Sequence, residues 1–144
     1  MKYAAVAPGR AAMTLSNPAG LYDPAPNGYS HLSVVAPGCR LVFVAGQGGE
    51  TEDGKLPPDF AGQTRQAFAN LCVALAAAGA EPGDVVKLTV LIVDHDESRL
   101  RILGEALDRV WGEAMKPTCT LIPVPRLALD GMLFEVEALA ALPA

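Results

Sequence analysis

The segment at residues 85–93, VVKLTVLIV, constrains the fold of this chain more than any other stretch. Its length suits a β-strand, and apolar residues occupy both the odd and the even positions. A strand of this kind is buried on both faces, as in the middle of a sheet that is covered on each side. The rest of the chain must therefore provide two layers of cover for this strand.

Helical periodicity is found in two other segments. Asp59 is a suitable N-cap for a helix that runs to about Ala78. A second helix is predicted to begin at Asp94, where Glu97 completes a capping-box-like pattern, and to end before Pro117. Two helices cover only one face of a sheet of four or five strands, so we expect the opposite face to meet another subunit.

The predicted order of elements is β-β-α-β-α-β-β, which places the chain in the α+β class. A hairpin is predicted to join the first two strands through Pro37-Gly38, the favoured central pair of a type II turn. Residues 1–28, rich in Pro, Gly and Asn, are interpreted as an irregular N-terminal arm ahead of a single domain at 29–144. The five predicted strands cover residues 29–35, 41–45, 85–93, 118–124 and 132–140.

Composition excludes several classes of function. The 144 residues suit one domain, and with 51% hydrophobic and only 19% charged residues the chain is not intrinsically disordered. A formal net charge of -5 without clustered Lys or Arg argues against a nucleic-acid partner. No apolar run approaches the ~20 residues that span a bilayer, and no signal-peptide pattern is seen, so we expect no membrane partner. Three cysteines at unrelated spacings form no disulfide framework, which favours a cytoplasmic protein.

Glu135 and Glu137 form the strongest candidate pair for acid–base chemistry. Residues two apart on a strand point to the same face, here about 6.6 Å apart. Two carboxylates on a partly apolar face repel each other, which can raise the pKa of one of them as a general acid or base requires. The alternative is an ion pair at an interface, which we favour slightly for Glu137.

Other candidate residues have structural explanations of greater weight. Cys119 would need His31 or His95 nearby to act as a nucleophile, and a buried, inert thiol is the favoured interpretation. Asp94-His95-Asp96 resembles a metal-binding cluster, but helix capping explains it better, so we expect no metal site. The glycine-rich run at 46–49 lacks the Lys-Ser/Thr pair of a phosphate loop and indicates close backbone approach instead.

Six short segments share their order and spacing with one family. They are GYSH at 28–31, VFVAGQ at 42–47, QTRQA at 63–67, AAAGA at 76–80, DVVKLTV at 84–90 and FEVEALA at 134–140. Together they resemble the RidA/YjgF family, also called endoribonuclease L-PSP, over residues 18–142. The resemblance implies a chorismate-mutase-like fold with two helices on one face of the sheet. It also implies assembly as a homotrimer with ligand clefts between subunits.

The resemblance further implies a reaction, the hydrolysis of reactive enamine and imine acids to 2-keto acids and ammonia without metal or organic cofactor. In deaminating members a Pro-x-Arg-Ser stretch supplies an arginine that holds the substrate carboxylate through a bidentate pair. The corresponding stretch here is Pro117-Thr118-Cys119-Thr120, so Cys119 stands at the arginine position. We therefore expect a small carbonyl, enamine or imine ligand with altered specificity.

The resemblance also suggests which residues form the cleft. Arg40 or Arg126 could replace the missing arginine, which would leave a standard 2-imino acid deaminase. A non-catalytic regulatory or chaperone-like trimer is a further alternative, and the acidic charge disfavours ribonuclease action. Glu135 is the expected catalytic residue, orienting a water, and the expected substrate-binding residues are Tyr29, Gly46, Thr118, Cys119 and Thr120.

Overall fold

The computed structural model describes residues 11–144, in which two α-helices and six strands are found. The α+β class and the placement of both helices on one side of the sheet are confirmed. The main sheet has the strand order β3-β6-β4-β5, in which only β4 and β5 run parallel. The elements are β1 (Met13–Ser16), β2 (Leu32–Val35), β3 (Arg40–Gly48), α1 (Phe60–Ala77), β4 (Val85–Val93), α2 (Glu97–Trp111), β5 (Thr118–Val124) and β6 (Phe134–Leu142).

The main core lies between the two helices and one face of this sheet. Alternate residues of β4 point into it, and Leu88, Val90 and Ile92 are fully buried. Phe68 of α1 packs between Trp111 of α2 and Phe134 of β6, with ring centroids 6.1 and 5.7 Å away. The central position predicted for residues 85–93 is therefore confirmed.

The prediction that the strands at 29–35 and 41–45 pair as a hairpin is wrong. Strand β2 pairs with β1 in a separate two-stranded sheet, and β3 pairs with β6 instead. Pro37-Gly38 does turn the chain, with Gly38 at a φ of 79°. The nine-residue β3 finds a partner of equal length in β6, whereas β2 has only four residues to offer.

The N-terminal arm is not irregular throughout, because it contains β1; residues 1–10 of the arm lie outside the described residues. Ala12, just before β1, packs with Val86 and Ala141 on the face opposite the helices. The arm thus covers one end of that face. Further along the same face Phe43 is 77% exposed and Leu41 is 49% exposed. A partly bare apolar face was expected, and the structure has one.

Helix α1 begins at its predicted cap, where the Asp59 carboxylate accepts a hydrogen bond from the Gly62 amide. Helix α2 does not begin at Asp94. Its cap is Asp96, which accepts from the Arg99 amide at 3.0 Å, while Asp94 lies at a φ of 50°. Asp94 is used in the turn that leaves β4, so the helix starts two residues later. Neither helix is long and apolar enough to cross a membrane.

Candidate functional site

The expected cleft residues fall into two groups at opposite edges of the main sheet. Thr118, Cys119 and Thr120 lie on β5, which is one edge strand, and Tyr29 precedes β2 beside them. Gly46 lies on β3, the other edge strand, and Glu135 lies on β6 next to it. Three strand spacings separate the two edges, about 14 Å. A single chain therefore does not bring the whole predicted set together.

At the β5 edge, Thr118 and Ser30 fix the backbone. Ser30 and Thr118 form a parallel bridge, and the Ser30 hydroxyl donates to the Lys116 carbonyl at 2.5 Å. The buried Thr118 hydroxyl donates to the Val86 carbonyl at 2.5 Å. Both hydroxyls are thus engaged with the main chain. That of Ser30 holds the segment around Tyr29 against the start of β5, and that of Thr118 ties β5 to β4.

Tyr29 belongs to an aromatic cluster with Tyr22 and His31. The two tyrosine hydroxyls are hydrogen-bonded, and the His31 Nε2 lies 2.8 Å from the Tyr22 carbonyl oxygen. The three rings meet edge to face, with centroids 5.1 to 6.4 Å apart. A cavity of about 470 Å³ adjoins this cluster, lined in part by Tyr29, Ser30, Asp108 and Lys116.

Cys119 points to the helix-covered side of the sheet. Its register partner on β4 is the fully buried Leu88, and its side chain packs against the main core. Burial raises the pKa of the Cys119 thiol to about 11, although the nearby Lys87 acts in the opposite direction. A thiol of this kind is protonated at pH 7, in agreement with the inert interpretation.

No Cys–His nucleophile is assembled around Cys119. His95 follows the far end of β4, at least five strand positions beyond Leu88, or roughly 16 Å. His31 lies nearer to Cys119 than His95 does, but its ring packs against Tyr22 and Tyr29. The nucleophilic alternative therefore lacks its base.

Thr120 points to the face opposite the helices. Lys87 of β4 donates from Nζ to the Thr120 hydroxyl at 2.6 Å. Of the two arginines considered as replacements, Arg126 is paired with Asp130 at 3.0 Å in the segment after β5. Arg40 begins β3, at the other edge of the sheet from Cys119. The charged side chain that lies beside the arginine position within one chain is thus Lys87.

At the β3 edge, Gly46 makes room for the Glu135 carboxyl group. A Cβ atom on Gly46 would lie 1.7 Å from Glu135 Oε1, and one on Gly49 would lie 2.6 Å from the Gln63 Cα. A side chain at position 46 would displace the Glu135 carboxyl group, and one at position 49 would clash with the backbone of Gln63. The glycine-rich run is therefore explained by close approach, as the sequence indicated.

Glu135 borders a cavity of about 960 Å³ at the β3 edge. Side chains of α1 form one wall and the segment after β3 forms another. Desolvation by burial raises the Glu135 pKa, and the negative charges of Glu50 and Glu137 raise it further. The lining includes Gly46, Gly48, Glu50, Glu52, Gln66, Asn70, Val73, Leu129, Met132 and Glu135.

Sequence reasoning missed two amide side chains that position the segments around this cavity. Asn70 donates through Nδ2 to the Gly48 and Glu50 carbonyls, at 3.0 and 2.8 Å, and so holds the loop that carries Glu50. Gln63, only 1% exposed, donates to the Gly131 carbonyl at 2.9 Å and accepts from the Leu133 amide at 2.8 Å. It thereby fixes the start of β6. Polar residues inside an apolar helix stripe were the available signal for both amides.

The metal-like cluster at 94–96 is accounted for by capping. Asp96 is the N-cap of α2. The neighbouring His95 Nδ1 atom is buried and has no hydrogen-bond partner. Within residues 11–144, no three His, Cys, Asp or Glu side chains come together as metal ligands.

Two helices on one face of a mixed four-stranded sheet, with a carboxylate beside a glycine-rich strand end, place this chain among small α+β proteins. The family model described as Endoribonuclease L-PSP matches residues 22–142. The crystal structure of YyfB from Yersinia pestis, a Rid-family protein of unknown function, has a TM-score of 0.86 and 34% identity. It covers 92% of this chain and 100% of its own. The chain therefore belongs to the endoribonuclease L-PSP family, that is, the Rid/YjgF family.

Two further relatives carry information on ligands and activity. The structure of TdcF from Escherichia coli contains bound serine, with a TM-score of 0.65 at 27% identity over 90% of this chain and 94% of that one. The 2-iminobutanoate/2-iminopropanoate deaminase of Escherichia coli is 35% identical over 88 residues. These are 60% of this chain and 67% of the deaminase.

Proposed function

We propose that this chain forms a homotrimer whose intersubunit clefts bind a small carbonyl, enamine or imine metabolite and hydrolyse its carbon–nitrogen bond. The specificity differs from that of the deaminases because Cys119 replaces the arginine that binds a carboxylate. The observation that carries the proposal is the division of the cleft residues between opposite edges of one sheet. Two subunits packed edge to edge would reunite them, Tyr29 and Thr120 from one and Gly46 and Glu135 from the other.

The exposed apolar face supports the trimer. Phe43 and Leu41 are exposed on that face. Monomeric proteins seldom expose a large contiguous apolar surface, so we expect a partner subunit to cover it. The three free cysteines fit a reducing compartment, and we propose the cytoplasm.

The proposed reaction needs one water and proton transfer in both directions. The water oxygen attacks the imine carbon, one of its protons passes to a base, and the nitrogen is protonated. This gives a carbinolamine, whose amino nitrogen takes up a second proton while its hydroxyl gives one up. The carbon–nitrogen bond then breaks, ammonia leaves and the carbonyl forms. Glu135 suits this chemistry because its raised pKa brings proton uptake and release closer to neutral pH than in an ordinary glutamate.

Cys119 defines the proposed change in specificity. A charged hydrogen bond contributes about 1.5–3 kcal/mol, and a bidentate arginine makes two of them. The protonated Cys119 thiol supplies no such charge. The relevant quantity is kcat/KM for an imine without a carboxylate divided by kcat/KM for 2-aminoacrylate. We expect this ratio to be at least ~10-fold higher for this protein than for an arginine-bearing enzyme.

The test compares release of ammonia and carbonyl product from freshly generated 2-aminoacrylate and from an uncharged imine of similar size. Wild type, Cys119→Arg and Ala76→Arg are assayed together, the last adding the same charge at an exposed position of α1. We expect wild type to favour the uncharged imine and Cys119→Arg alone to gain activity on 2-aminoacrylate. Robust turnover of 2-aminoacrylate by wild type would instead identify a deaminase with another arginine. No turnover of any imine would favour a non-catalytic trimer.

A further inference from the structure

Three side-chain hydroxyls lie at the β5 edge of the sheet, and they use their protons in different ways. Those of Ser30 and Thr118 each donate to a main-chain carbonyl. The Thr120 hydroxyl instead accepts, because its Oγ1 atom lies 2.6 Å from Lys87 Nζ. An ammonium group has three N–H donors and no acceptor, so the direction of this hydrogen bond is fixed.

The Thr120 hydroxyl therefore keeps its own proton for another partner. A hydroxyl group carries one proton and two acceptor lone pairs, and Lys87 occupies one of the lone pairs. Within residues 11–144, no acceptor takes the Thr120 proton in a hydrogen bond, and Thr120 is exposed. Thr120 thus presents a hydrogen-bond donor beside β5, whereas the protons of Ser30 and Thr118 are already used.

The strand register explains how Lys87 reaches this hydroxyl. Lys87 of β4 lies opposite Thr118 of the parallel strand β5, and Thr120 follows two residues later on the same face. Two residues of a strand span about 6.6 Å, a distance that the four-carbon stem of a lysine bridges. This face is opposite the helices, whereas Cys119 points to the helix-covered side. Lys87 therefore does not take the place of the arginine that Cys119 replaces.

Lys87 bonds to this hydroxyl although a carboxylate lines the same cavity. Lys87 and Glu137 both border a cavity of about 420 Å³, together with apolar side chains such as Phe43 and Leu139. No salt bridge joins the Lys87 ammonium to Glu137. An ion pair between them would leave the Thr120 hydroxyl free to rotate, whereas the observed bond sets its orientation.

We propose that Lys87 is a positioning residue for Thr120, which it fixes as a donor to an uncharged acceptor atom of the ligand. That atom is the nitrogen of a neutral imine or the carbonyl oxygen of the product. This inference rests on the proposed function and narrows its substrate class. A protonated iminium nitrogen has no free lone pair to accept the Thr120 proton, and the Lys87 charge repels it. The neutral imine is therefore the form that fits this edge of the cleft.

Binding of propanamide tests the arrangement, because propanamide is stable and uncharged and has a carbonyl acceptor. Its dissociation constant is measured by NMR from the backbone amide at position 120, in the full chain. Wild type, Lys87→Met, Thr120→Val and the variant with both changes are compared. We expect each single change to weaken binding about 5-fold, and the combined variant to bind no more weakly than Thr120→Val alone.

Two control variants separate this role from a general effect of charge. Lys55→Met removes a lysine that is paired with Asp53 in the segment after β3, and it should leave the affinity unchanged. Lys87→Arg keeps a cation that donates and does not accept, and it should restore most of the affinity. Thermal unfolding and sedimentation check that each variant is folded and assembled like wild type.

The outcomes separate this inference from the proposed function. An equal loss of affinity from Lys87→Met in the wild-type and Thr120→Val backgrounds overturns the role of Lys87, and imine turnover then still supports the proposed function. No shift at position 120 on addition of propanamide also overturns the inference. A coupled loss of affinity without turnover of any imine supports the inference and overturns the proposed reaction. With turnover, Lys87→Met should raise KM and leave kcat little changed.

Discussion

Glu135, the proposed catalytic residue, is also expected to make the stability of the fold depend on pH. Burial raises its pKa in the folded chain, and neighbouring carboxylates raise it further. The folded state therefore holds this proton to higher pH than the unfolded chain does. Between the two pKa values the folded state binds more protons, so this group makes stability fall as pH rises through that window.

Replacing Glu135 by Gln should remove this fall. At fixed protein concentration, the free energy of unfolding of wild type is expected to decline relative to Glu135→Gln as pH rises from the usual glutamate pKa to the raised one. Above and below that window the two curves should run parallel. Urea unfolding across a pH series measures this, with Glu52→Gln as the control. Parallel curves at every pH would contradict the raised pKa.

Gly46 and Gly49 offer a second comparison between function and stability. The Cβ of Gly46→Ala meets the flexible end of Glu135, which can move aside, whereas that of Gly49→Ala meets the backbone of Gln63. We expect Gly46→Ala to keep its stability while activity falls at least ~10-fold. Gly49→Ala should lose about 1–3 kcal/mol of stability through overpacking. Chemical unfolding together with the imine assay checks both, and equal loss of stability in the two variants would refute the assignment.

Among the elements, those with strong local patterns were predicted well from sequence. Strand β4 and helix α1 have the expected bounds within a residue, because a short apolar run, helical periodicity and the Asp59 cap are local signals. The first hairpin failed because a turn at Pro37-Gly38 fixes direction but not partner. The partner of β3 depends on which strand can form the longer ladder of backbone hydrogen bonds with it, and that strand is distant in sequence.

The candidate site shows the same division. Glu135 was proposed from its alternation with Glu137 and from the resemblance to a family. Glu50 and Asn70 were not, because Glu50 lies in a loop without a periodic pattern and the polar position of Asn70 in the α1 stripe was not used. Their roles arise only when the loop after β3 folds back against α1.

The start of α2 gives an element-scale prediction. Asp96→Ala should lower the urea midpoint, because it leaves the Arg99 amide without its capping acceptor. Asp94→Gly should not lower it, because Asp94 lies at a positive φ that glycine adopts freely. A lower urea midpoint for Asp94→Gly than for Asp96→Ala would instead identify Asp94 as the cap.

At the scale of the whole molecule, we propose that the apolar face of the sheet mediates assembly into trimers. Phe43→Glu places a charge at its most exposed large side chain, which we expect to convert three-copy assemblies into single chains. Val73→Glu is the matched control, since Val73 is 71% exposed on α1. Sedimentation velocity measures both. A trimer that survives Phe43→Glu unchanged would place the interface elsewhere.

The division of the site between subunits is tested most directly by mixing two inactive variants. Tyr29→Ala removes a residue of the β5 edge and Glu135→Gln removes one of the β3 edge, so each alone should lack imine hydrolysis. When equal amounts are unfolded and refolded together, each cleft draws its two halves independently, and roughly one quarter of the clefts should be intact. We expect recovery of about that share of wild-type activity. No recovery in a mixture that has formed mixed trimers would contradict it.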